Sequence, residues 1–142
     1  MIVLIARLLL AGVFLWGAVA KAVFPPSEAT MYGALLMACG PALRYAMIVV
    51  EAGLAVWLAS GWRPRASAWT TVQVLSVFCG ATVSEAMRDH PRPCGCHGKT
   101  AEEASSGEAA RRVLLWSLGR NGAMAVAASW VMVGPGCTRR RN

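Results

Sequence analysis

The sequence predicts an all-α integral membrane protein, a four-helix bundle. Three observations carry that expectation. Hydrophobic residues make up 56% of the 142-residue chain, and its mean hydropathy is +0.49. Charged residues are only 15%, against roughly 25% in an ordinary soluble domain. The apolar residues also fall in four long runs, each near the roughly 20 residues needed to cross about 30 Å of hydrocarbon, with the charges gathered between them.

The first span covers about residues 2–24 and stops at Pro25-Pro26, where a missing backbone donor ends a helix. Ala18-Val19-Ala20 looks like a signal cleavage site, but the apolar run is long for a signal and no basic residue precedes it; a retained span is expected. The second span covers about 41–62 and starts on Pro41, a residue suited to the first helical turn. The third covers about 65–87, and the fourth about 111–133, closed by Gly134-Pro135-Gly136. No stretch alternates as a strand, and open sheets do not sit in lipid. Residues 1–142 read as a single transmembrane domain.

The formal charge of +7 comes mostly from arginine in short loops and the Arg139-Arg140-Arg141 tail. Arginine flanking apolar runs marks a cytoplasmic membrane face rather than a nucleic-acid surface, so the bilayer is the expected partner and nucleic acid is not. With four spans, both termini share a side with Arg63 and Arg65. Arg7 and the Arg139 to Arg141 tail lie on that side too, and the other side holds Lys21, Arg44, Arg88, Arg92, Lys99, Arg111 and Arg112, so the raw count is nearly balanced. The expected arrangement is an inner-membrane protein with cytoplasmic termini and an exoplasmic third loop.

That loop holds Pro93-Cys94-Gly95-Cys96-His97-Gly98. Two thiols one residue apart form a dithiol/disulfide couple, the soft half of a metal site, or inert sulfur in a turn. Arg92, Lys99 and a protonated His97 would favour thiolate, and exchange would run through a mixed disulfide. Cys39, just before the second span, faces the same side and is a candidate exchange partner. On an oxidising face a disulfide would persist. Cys94, Cys96, His97 and His90 are soft S/N donors for Cu(I) or Zn²⁺, although the one-residue spacing is short for a zinc knuckle. Cys79 reads as a small core hydrophobe and Cys137 as an idle thiol.

Ionisable residues inside a span mark sites by default. Glu51 and Arg120 lie about ten and nine residues into spans that begin on the same side, so at about 1.5 Å per residue their depths match. A Glu51–Arg120 ion pair is expected, with Asn121 as a further hydrogen-bond partner. Lys21, Arg44 and Glu85 lie near the span ends, where they are expected to snorkel or pair with one another. Trp62 and Trp69 suit an interfacial belt.

Ala11-Gly12 through Lys21, Glu51-Ala52-Gly53-Leu54 with Gly61, the Cys94-Gly95-Cys96-His97-Gly98 loop and Arg120-Asn121 together resemble the methylamine-utilisation MauE family, within the wider DoxX-like group of four-helix membrane proteins. Such proteins commonly carry Cys-Gly-Cys-Phe-Gly, so His97 is a departure that leaves both thiols in place. The resemblance implies thiol–disulfide chemistry at Cys94 and Cys96, with Cys39 as a third thiol, in the redox maturation of exported proteins with a thioredoxin-like partner or client. The fold is also similar to membrane thiol oxidoreductases that pass electrons to quinone, which makes quinone a candidate cofactor, though their Cys-x-x-Cys is missing here. Two other readings stand beside it: a non-catalytic accessory subunit packed against a larger membrane complex, and copper or zinc handling at the Cys-Gly-Cys-His loop.

Overall fold

A computed structural model describes residues 2–24, 27, 29–94 and 107–133. Its elements are all helical: α1 (Ile2–Val23), α2 (Met31–Cys39), α3 (Pro41–Ser60), α4 (Pro64–Ala86) and α5 (Gly107–Val133). No strand occurs among the described residues. The four long helices match the four expected runs to within a few residues. Their ends follow local chemistry. Pro41 and Pro64 sit in the first turns of α3 and α4, where no backbone donor is needed. Gly61 closes α3 in the left-handed conformation at φ 71°, the usual glycine stop.

The short helix α2, which the span reading did not anticipate, occupies the first loop. Thr30 caps it, its Oγ1 accepting from the Gly33 N–H at 3.0 Å as N-cap residues do.

The long helices form a ring in the order α1, α3, α4, α5, with α1 closing on α5 and α2 lying against α3. The tightest pairs are α1 with α3 and α4 with α5. Leu10, Phe14, Leu54, Leu58, Leu75 and Ala128 fill the centre. The outer surface is apolar: Leu9, Trp16, Val49, Val56, Val77, Trp116 and Trp130 are all exposed. An exposed apolar face of this size is untenable in water, and lipid is the solvent that suits it.

By length and composition α1, α3 and α4 can each cross a membrane, and only 28%, 22% and 28% of their apolar windows are buried inside the bundle. The 27-residue α5 is long enough, but Arg120 and Asn121 at its centre lower its hydropathy.

Candidate functional site

Helices α1 and α3 run antiparallel and are tied at both ends by arginine. The Arg7 guanidinium donates to the Leu58 carbonyl from Nε at 3.0 Å and from Nη2 at 2.7 Å. At the other end Arg44 donates to the carbonyls of Lys21 at 3.0 Å and Ala22 at 2.9 Å. Each arginine satisfies carbonyls that the last helical turn leaves open and meets the negative end of the neighbouring helix dipole. A Cβ on Gly61 would collide with the Arg7 guanidinium, so that turn needs glycine for space as well as for its φ.

Between these ties lies a buried ion pair. The Lys21 ammonium donates to both carboxylate oxygens of Glu51, at 2.8 and 2.9 Å, with the two side chains only 4% and 7% exposed. Gly17 makes room for it: a Cβ there would stand 3.1 Å from Glu51 Oε2.

This geometry corrects the expected Glu51–Arg120 pair. Glu51 is bound by Lys21. Helices α3 and α5 sit on a diagonal of the ring rather than side by side, and α5 starts earlier than the sequence suggested. Arg120 is therefore its fourteenth residue, while Glu51 is the eleventh of α3. Within α5, Arg120 Nη2 lies 3.5 Å from Asn121 Oδ1, and Asn121 is buried.

Lys21 also departs from expectation, since it reaches inward instead of snorkelling. Helical side chains lean toward their own N-terminus. On antiparallel α1 and α3, that lean carries Lys21 deeper and brings Glu51 toward it. Arg44 and Glu85, expected to snorkel or to pair with Lys21 or each other, instead serve helix α1's carbonyls and the third loop.

At this end of the bundle the Cys94 segment docks onto α2. The first backbone N–H groups of α2 donate outward, Met31 to the Pro93 carbonyl at 2.9 Å and Tyr32 to the Cys94 carbonyl at 3.4 Å. The start of the same strap is held by Glu85, whose Oε1 accepts from the Arg92 N–H at 3.1 Å while Arg88 pairs with its other oxygen at 3.2 Å. Cys94 is 7% exposed. Tyr32 itself is 2% exposed, with the Lys21 ammonium 5.9 Å from its ring centre. Sequence reasoning passed over Tyr32; the signal that could have found it is the cap pattern of Thr30 just ahead of it.

Cys39 is exposed and sits at the far end of α2. Seven residues at about 1.5 Å each separate it from Tyr32, so Cys39 and Cys94 stand well beyond the roughly 7 Å limit for bridging without backbone movement. Cys79 lies partly buried on α4. His90 is exposed. Cys96, His97 and Cys137 lie outside the described residues, and among the described residues no three His, Cys, Asp or Glu side chains cluster for a metal.

Fold and site together define a multi-pass helical membrane protein, with a buried Lys–Glu pair beside a docked cysteine strap. The chain matches the family described as Methylamine utilisation protein MauE over residues 1–134, and it belongs to that family. No curated protein and no solved structure matches it.

Proposed function

We propose that this chain is a membrane thiol–disulfide protein that exchanges disulfides through Cys94 and Cys96 with an exported thioredoxin-like partner or client. The observation that carries the reading is the placement of Cys94, on a strap tied to α2 and to Glu85 rather than loose in solvent. The backbone ties hold the Cys94 sulfur at a defined place, covered at rest and presented as the strap lifts, and the rate of exchange depends on which sulfur a partner can reach.

The exchange balances within the two proteins. A partner thiolate attacks one sulfur of a Cys94–Cys96 disulfide; that S–S bond breaks, a mixed disulfide forms, and the other sulfur leaves as thiolate. The partner's second thiolate then breaks the mixed disulfide. The partner leaves oxidised, and Cys94 and Cys96 hold the two electrons as a dithiol. Cys39, at the other end of α2, joins such exchange only after α2 moves.

In this reading α5 is the fourth span, lined up by its packing on α4 and α1, and the ring shields its polar centre. The termini then lie on the cytoplasmic side of the inner membrane with Arg7, Arg63 and Arg65, and the cysteine strap lies outside. The test is trapping in cells. Cys96→Ser or Cys94→Ser leaves one thiol that cannot resolve, and a reductant-sensitive adduct with an exported thioredoxin-like protein is expected. Absence of any adduct from both variants overturns the reading.

A further inference from the structure

The ion pair and the cysteine strap are not separate features. Glu51, seated against Gly17, fixes the Lys21 ammonium. That ammonium lies over the ring of Tyr32, and Tyr32 donates its backbone N–H to the Cys94 carbonyl. The chain of contacts thus runs from the middle of α3 to the strap through groups that are all nearly buried. A cation against an aromatic face holds best when both are desolvated, as here. The two strap carbonyls also take the N–H groups that a helix start leaves without intrahelical partners, so docking the strap and completing α2 are one event.

We propose that Lys21, held by Glu51, is a positioning residue that acts through Tyr32 to keep the Cys94 strap seated on α2 and so sets how often the Cys94 thiol is reachable. The proposal rests on Cys94 being the exchanging thiol of the reading above. Its test needs no partner, however, so failure of adduct trapping and failure here are distinguishable. Neutralising the pair or removing the ring loosens the α2–strap contact. The strap then opens more often, and reaction at Cys94 speeds in proportion to the opened population.

The experiment measures the N-ethylmaleimide labelling rate in isolated membranes of a chain retaining Cys94 as its sole cysteine. A second chain retaining only Cys39 reports on the far end of the same helix. Tyr32→Leu leaves the Lys21–Glu51 pair intact and is expected to speed Cys94 labelling by about tenfold, the order that follows loss of a desolvated cation–aromatic contact. The double variant Lys21→Met/Glu51→Gln is expected to do the same. Tyr32→Phe, which keeps the ring face, is expected to stay within about twofold of the parent, and Cys39 labelling is expected to hold steady in all three. Parent-like labelling of Cys94 in Tyr32→Leu, equal acceleration by Tyr32→Phe, or a parallel rise at Cys39 would each overturn the proposal, the last by showing general unfolding.

Discussion

Lys21 and Glu51 form a two-pronged ion pair, with the ammonium 2.8 and 2.9 Å from the two carboxylate oxygens, buried between two antiparallel helices. Neither charge has water to turn to, so each depends on the other. Removing one partner leaves an uncompensated buried charge, which costs about 3–5 kcal/mol, whereas removing both costs far less. Lys21→Met and Glu51→Gln should therefore each destabilise the bundle strongly, and the double variant should recover much of that loss. Unfolding in mixed detergent micelles, arranged as a double-mutant cycle, measures the coupling.

Gly17 supplies the space in which Glu51 sits. Gly17→Ala brings a methyl to 3.1 Å from Glu51 Oε2, close enough that the carboxylate must shift. Overpacking of this kind costs about 1–3 kcal/mol. Gly12, on the same helix, meets nothing within 4 Å of its built Cβ, so Gly12→Ala should be neutral or slightly stabilising. The same micelle unfolding assay compares them.

Glu85 fixes the start of the cysteine strap through the Arg92 N–H. Glu85→Ala leaves that donor without its partner and should raise hydrogen exchange at Arg92 and its neighbours by about tenfold, with exchange inside α1 and α3 unchanged. Exchange mass spectrometry of the purified protein reads both regions at once.

In the proposed four-span topology both termini share one side and the strap lies opposite. Reporter fusions at each end, one active only in the cytoplasm and one only outside, should both read cytoplasmic. Opposite readings from the two ends would remove α5 as a span.

The long helices were legible because their limits are written in single residues: Pro25 after α1, Pro41 and Pro64 at the starts of α3 and α4, and Gly61 between them. Helix α2 was not, since nine residues are too few to show at the scale of a span; only the Thr30 cap announces it. Glu51 stood out as a charge among apolar neighbours, but its partner did not. Matching by depth treats all helices as adjacent, whereas the ring sets α3 and α5 on a diagonal and places α1 beside α3. The interfacial rule then misdirected Lys21, because near the C-terminal end of α1 the lean of the side chain points into the bundle. The union of strap and α2 rests on backbone bonds between residues about 60 apart in sequence, a pairing that no local pattern encodes.

Cys94 and Cys96 are proposed here as a working redox couple. Acid quenching of growing cells, followed by alkylation under denaturing conditions, reports their oxidation state directly. A disulfide is expected at steady state, opened by a brief pulse of reductant and re-formed when the reductant is replaced by a disulfide oxidant such as oxidised glutathione, which takes up the two electrons. Two thiols that remain reduced before, during and after the pulse would contradict that proposal.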